Sequence, residues 1–295
     1  MELRELGEFG LIRRIAARAG ETAPGGLGIG DDCAVLAGDG PIAALITTDM
    51  LVEGVHFLRD RIPPARLGRK SLAVNLSDIA AMGGEPRACF LSIALPGDIG
   101  LGWIDAFIGG LLDLARETKC PLLGGDTTRS PTGVVINIAV AGDAPRGRFK
   151  RRSGGRAGDI LAVTGFLGDS GAGLRLLMEN RPIESDDARA LVDAHQNPRP
   201  HLEEGRWLAG REEVRAMMDI SDGIDSDVRH IMERSGVAGA RIELDALPVS
   251  DAMWRTAAAY GWSVDDLAAA AGEDYCLLCA VDAERFDSVA ADFMR

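Results

Sequence analysis

Histidine is scarce in this chain, limited to His56, His195, His201 and His230, and no HxxxH or HxH pair occurs. A catalytic zinc site of the common kind is therefore disfavoured. Basic side chains are the minority charge: 32 Lys and Arg against 45 Asp and Glu leave a net charge of −13. Nucleic-acid backbones are bound by clustered Lys and Arg, so a large nucleic-acid footprint is excluded, and any polyanionic substrate must be met locally, with metal ions. No run approaches the ~18 consecutive apolar residues of a membrane span. The first twenty residues carry acids and place Leu6, Phe9, Ile12, Ile15 and Ala19 at helical intervals. They read as an amphipathic helix rather than a signal peptide.

Cysteine is present in an odd number, at Cys33, Cys89, Cys120, Cys276 and Cys279, which fits a reducing cytoplasm. Cys276 and Cys279 spell CxxC, but EDYCLLCAV reads as a buried strand, where positions three apart face opposite sides. The phosphate-loop pattern GxxxxGK[ST] is missing, as are GxGxxG and the nucleophile elbow GxSxG. In LGRKS (67–71) the position of the second loop glycine is Arg69, inside a helix.

What remains is a chain of 295 residues, 46% hydrophobic and 26% charged, long enough to bury a core without disulfides and to form one large or two ordinary domains. Strand-like and helical runs alternate. Strands are expected at 44–57, 87–96, 121–125 and 133–143, with helices at 65–82 and 101–118. Apolar periodicity vanishes over 144–159, where Gly and Arg concentrate. A boundary there gives domains 1–145 and 146–295. The second half reads as a strand at 159–165, a Gly-rich turn, helices near 184–194 and 199–210, a strand at 214–220, a helix at 223–235, a strand at 240–244, helices near 250–271, a strand at 274–281 and a last helix.

Acidic clusters stand where strands end or helices begin: GIGDDC (28–33), TTD (47–49), NLSD (75–78), GGDTT (124–128) and DISDGIDSD (219–227). Carboxylates beside hydroxyls and carbonyls are the ligand set of hard cations such as Mg²⁺. One Asp-Gly is ordinary turn chemistry; five clusters at element ends are not. On the helix at 65–82, Ser71, Asn75, Asp78 and Met82 fall on one stripe beside the apolar Leu72, Leu76 and Ile79, which marks a cavity wall. The turn GFLGDSGAG before a helix is either an anion cradle or a plain strand–helix turn. His56 lies just beyond Asp49, whereas His201 and His230 read as surface or cap residues.

Taken together, GIGDDC, TTDMLVEGVHF, KSLAVNLSDIAAMGG, LLGGDTTRSP, RRSGGRAGD, DISDG and AGEDY occur in the order and spacing of a known family. The chain resembles the thiamine-monophosphate kinases, relatives of aminoimidazole ribonucleotide synthetase and selenophosphate synthetase. The resemblance implies two domains of α/β and α+β class. The N-terminal one would pair with a second subunit as a dimeric β-barrel, with ATP bound in a cleft between the domains. It further implies a homodimer, without nucleic acid or membrane, that uses ATP to phosphorylate thiamine monophosphate to thiamine diphosphate.

On the family pattern Asp32, Thr47, Thr48, Asp49, Asp78, Asp126, Asp219 and Asp222 would bind several Mg²⁺ ions. Gly125, Asp126, Arg152 and Ser221 would contact ATP, and His56 and Glu273 the thiamine moiety. No general base or nucleophile is expected, because the acceptor phosphate is already anionic. Asp222 and Ser221 are also candidate N-caps, Glu273 a candidate strand-edge polar residue, and the choice among Arg148, Arg151, Arg152 and Arg156 stays open. Cys276 stands where the family usually has Glu. The family's C-terminal aromatic segment has no counterpart before Arg295, so the acceptor pocket is expected to be incomplete or closed by another part of the chain. Two rival readings are a ligase of the aminoimidazole ribonucleotide synthetase type and an ATP/Mg²⁺-binding dimer without acceptor activity.

Overall fold

The computed structural model describes residues 3–20 and 24–295. Its first half is built on β1 (Ala34–Val35), β2 (Ile42–Val52), β3 (Glu85–Leu95), β4 (Leu122–Arg129) and β5 (Val135–Pro145), joined in the order β1-β2-β5-β3-β4. All pairs are antiparallel except β3 with β4. In β5 the alternate residues Ile136, Ile138 and Val140 are fully buried, the period-two signature of a sheet with one face on the core.

That face is covered by α2 (Pro64–Ala81), and α3 (Leu101–Glu117) packs along α2 in the same core. Pro64 opens α2 at a position whose N–H would be unsatisfied anyway. Two glycines let α2 and α3 touch backbone to backbone: a Cβ on Gly68 would lie 2.0 Å from the Phe107 carbonyl oxygen, and one on Gly110 1.8 Å from that of Ala65.

The second half holds a three-stranded sheet in the order β6-β8-β7, formed by β6 (Ile160–Val163), β7 (Val214–Asp219) and β8 (Leu277–Val281), with β8 antiparallel to both neighbours. Around it lie α4 (Asp169–Met178), α5 (Asp186–Gln196), α6 (Leu202–Ala209), α7 (Ile224–Ser235), α8 (Asp251–Tyr260), α9 (Val264–Ala270) and α10 (Phe286–Phe293). Cys276, Leu278 and Ala280 enter one core of this half. Leu277, Cys279 and Val281 enter another, which also takes in Ala80 and Ala81 of α2. The two cysteines of the CxxC therefore face opposite sides, both free and buried.

Three expectations change. The strand at 240–244 does not form: the segment holds a single 3-10 turn, Leu244–Ala246. Arg241 and Glu243 pair with each other in solvent, and with no ladder partner the β-prone pattern is not enough. The first helix, α1 (Leu3–Ala19), breaks at Gly7 (φ 66, ψ 172) and leaves Phe9, Ile12 and Ile15 exposed rather than on a buried stripe; the side chain of Leu6 lies outside the described residues. Finally, the first sheet is not closed into a barrel in the single chain. Among the described residues the edge at β1 is met only by a bridge from Leu27 to Val35, β4 is the other edge, and the face away from α2 exposes Met50 and Phe90.

Candidate functional site

The polar stripe of α2 fastens the acidic segments in sequence. Asn75 Oδ1 accepts the Asp49 N–H at 2.9 Å, Asp78 accepts the hydroxyl of Thr47, and Met82 Sδ receives the Cys33 N–H at 3.2 Å. The stripe thereby brings β2 and the 28–33 turn to one place. From the other half, Asp219 at the end of β7 arrives with its carboxylate held by Ser77 of α2, at 2.6 Å.

One carboxylate oxygen from each of Asp32, Asp78 and Asp219 lies within 4.8 Å of the others. Burial, helped by the neighbouring acids, pushes Asp78 well above the ordinary carboxylate range and Asp219 up to about 8. Asp49 is also raised by burial, with His56 acting against it. Asp32 gives one oxygen to Arg152, at 2.7 Å, while its Oδ2 is buried without a partner. Three packed carboxylates with one orphaned oxygen are a poor fold ingredient and a good cation site.

The other expected residues are distributed by strand alternation. Thr47 and Asp49 face α2, so Thr48 between them faces the outer side of the sheet, where Asn137 donates to its hydroxyl at 2.8 Å. Asp126 shares a row with Ser92, Asn137 and Met50 and is exposed. It joins none of the three-ligand groups among the described residues. Gly125 pairs in register with Leu91.

Asp222 belongs to a second group, with Asp227 and His230. It is not an N-cap: α7 is preceded by Gly223 with no side-chain cap, and the Asp222 N–H donates to Asp227 at 3.2 Å. Of the arginines at 148–156, Arg152 is the one that reaches Asp32, and its N–H donates to Asp31. Burial, then Asp32, pushes Asp31 up to about 6.

Beside the carboxylates opens a cleft of about 530 Å³. Asp49, Asp78, Asp219, Ser221 and Asp222 stand at its acidic end; His56, His195 and Glu273 also line it, and Phe57, Ile62, Leu174, Leu177 and Met178 supply apolar wall. The His56 ring is held by the Val52 N–H donating to Nδ1 at 3.0 Å.

Comparison with known proteins places this geometry. The family described as "AIR synthase related protein, N-terminal domain" matches residues 30–144, and its C-terminal domain matches 156–293. A thiamine-monophosphate kinase of Salmonella typhimurium is 43% identical over 282 residues, 93% of this chain and 82% of that protein. One from Aquifex aeolicus is 36% identical over 294 residues, 97% and 90% of the two chains. The solved structure of AaThiL complexed with AMPPCP and TMP superposes with a TM-score of 0.89 at 35% identity, covering 97% of this chain and 88% of that one.

The chain belongs to the thiamine-monophosphate kinase family.

Within this kinase-family site several residues escaped the sequence reading. Lys70 is wholly buried against Glu273, and His195 is buried beside it. The signal for Lys70 was its spacing: it stands seven residues from Ser77, on a second polar stripe of α2. Asp274 fills the N-terminus of α4, accepting N–H bonds from Gly168 at 2.7 Å and Ser170 at 3.4 Å, and burial pushes it up to about 7. The Gly-rich turn is thus capped by the chain's own carboxylate. His201 stands at the N-cap position of α6, but its side chain makes no cap bond and instead bonds Thr164 at 3.0 Å, and His230 packs on Phe9.

Proposed function

We propose that the protein transfers the γ-phosphoryl group of ATP to the phosphate of thiamine monophosphate, giving thiamine diphosphate and ADP. The observation that carries this is the junction of the Asp32–Asp78–Asp219 cluster with a cleft whose wall bears His56 and Glu273, in a member of this kinase family. A phosphate monoester has a second pKa near ~6, so its attacking oxygen is anionic at neutral pH and needs no base. The barrier is repulsion between two anions held in line, which makes the task one of positioning and charge compensation.

The residues present fit Mg²⁺. Asp32, Asp78 and Asp219, with Thr47 and Asp49 adjacent, would hold it, and the orphaned Asp32 Oδ2 supports that assignment. When bound, Mg²⁺ offsets the negative charge of the phosphoryl groups. Arg152 fixes Asp32 and presents its guanidinium beside the nucleotide, with Gly125, Asp126 and Ser221 as further contacts. The apolar wall excludes water, which would otherwise compete as acceptor. Glu273 offers an anion to the cationic thiazolium ring, and His56 packs on the same moiety.

Thr48 and Asp126 complete the metal-binding set once a second copy covers the outer face of the first sheet, and Asp222 completes it from the acidic end of the cleft. The exposed Met50 and Phe90 support this homodimer, in which the two open sheets would close into a barrel. The domain boundary is placed at 145/146. Five free cysteines suit a cytoplasmic setting, and no helix among the described residues is long and apolar enough to cross a membrane.

The test is ADP release with Mg²⁺ and ATP, with and without thiamine monophosphate, the thiamine product being identified by chromatography. Thiamine diphosphate is expected in step with ADP. ADP release indifferent to the acceptor would overturn the reading, and a protein labelled by γ-labelled ATP alone would replace direct transfer with a phosphoenzyme.

A further inference from the structure

The Lys70 side chain is wholly shut off from water. Its ammonium lies 2.9 Å from Glu273 Oε1, at angles that miss those of a hydrogen bond, and it has no other polar partner. The second oxygen, Oε2, lies 3.4 Å from His195 Nδ1, which is also 3.2 Å from the Ser170 hydroxyl. Burial, then the charge of Lys70, lowers His195 to about 4. The ring is therefore a neutral neighbour of the carboxylate at pH 7, not a second cation.

The backbone under Glu273 is equally constrained. Its φ is 65 and that of Tyr275 is 51, both left-handed for side-chain-bearing residues. Such conformations persist only where the surroundings impose them. Here the Glu273 N–H donates to the Ser221 carbonyl and the Tyr275 N–H to that of Ile220, each at 2.8 Å, while Asp274 between them is tied to the start of α4. A carboxylate that only finished a strand edge would need none of this.

We propose that Lys70 and His195 are positioning residues that hold the Glu273 carboxylate, one oxygen each, at the cleft wall and so set the affinity for an acceptor with a cationic ring. The inference rests on the phosphotransfer reading above. Lys70 comes from α2 in the first half, His195 from α5 and Glu273 from the loop before β8. The acceptor wall is thus assembled across the two halves. Without Lys70 the partly buried carboxylate loses its anchor and turns away, which removes the fixed anion from the cleft.

The experiment is steady-state kinetics with a thermal melt on wild type, Lys70→Met, Glu273→Gln and the double variant. Lys70→Met is expected to raise KM for thiamine monophosphate about tenfold or more, with KM for ATP unmoved and kcat changed far less. Glu273→Gln is expected to raise the same KM and to melt lower, because it strands a buried ammonium. The double variant should regain the melting temperature without regaining acceptor affinity, its KM no worse than that of Glu273→Gln alone.

An unchanged acceptor KM in Lys70→Met, or effects of the two substitutions that simply multiply, would overturn the proposal. So would a parallel rise in both KM values, which marks a general structural defect. If Lys70→Met does not fold, His195→Leu carries the test: the acceptor KM rises and the ATP KM does not, and an unmoved acceptor KM overturns the proposal. Wild type that makes no thiamine diphosphate would instead defeat the underlying reading.

Discussion

Asp219 sits where folding and binding pull against each other. Its carboxylate shares a buried space with Asp32 and Asp78, and like charges packed together destabilise a fold until a cation joins them. Asp219→Asn is therefore expected to melt higher than wild type in EDTA, to gain less on adding Mg²⁺, and to lose phosphoryl transfer by about 100-fold or more. Melting curves with and without Mg²⁺, beside ADP release, check this; a lower melting temperature in EDTA would mean that the three acids stabilise one another. Asp49→Asn and Asp126→Asn are expected to abolish transfer with the fold intact, and near-normal turnover in either removes that residue from the site.

His195 adds a pH signature. Its folded pKa of about 4 lies below the ordinary 6.5, so the unfolded chain binds the proton more readily. The stability it contributes is present above pH 6.5 and is lost as pH falls toward 4, up to about 3 kcal/mol. His195→Leu is expected to flatten the fall in melting temperature between pH 7 and pH 5. The acidic clusters were legible at this scale because hydroxyl, carboxylate and glycine at element ends name their chemistry by residue type. The burial of Lys70 and Asp274 was not, because a single charge on a helix or in a turn looks the same in sequence whether water reaches it or not.

Among the elements, α2 shows how a short periodicity builds a site. One stripe carries Asn75, Asp78 and Met82 to the first half, and another carries Lys70 and Ser77 to the second. The first stripe could be counted off the sequence; the second has an equally countable spacing, but nothing near it in the chain names its partners Asp219 and Glu273. Strand alternation explains the separation of Thr47 from Thr48, which a list of ligand types passes over. The failed strand at 240–244 has the same lesson in reverse, since its pattern was adequate and its neighbour was missing. The contact of α2 with α3 makes a further expectation: Gly110→Ala puts a methyl group into the Ala65 carbonyl and should cost about 1–3 kcal/mol. Denaturant titration measures it, and a cost near zero would mean that the helices can slide apart.

For the whole molecule, the Gly- and Arg-rich stretch at 144–159 suggests two domains because a loss of apolar periodicity is local in the chain. The openness of the first sheet could not be read there, because a strand edge without a partner looks the same in sequence as a paired one. The outer face is expected to be covered in solution. Light scattering should give a dimer, and Met50→Glu with Phe90→Glu should give a monomer that still melts cooperatively. A wild-type monomer at all concentrations would leave Thr48 and Asp126 without their proposed setting.

The connecting stretch is itself pinned: Lys150 Nζ donates to the carbonyls of Arg211 and Val214, and the Met217 N–H donates to the Arg151 carbonyl. Ala80 and Ala81 of α2 lie in the same core as Leu208, Met217 and Leu277 of the second half. A helix that belongs to two cores ties their histories together. Recombination between relatives at the seam would set one ancestor's α2 against another's α6 and β7, with a lysine and a glutamate that must arrive as a pair. The halves can therefore drift, but only in step, and the seam that looks in sequence like a place to cut is one that exchange between lineages would cross only at a loss.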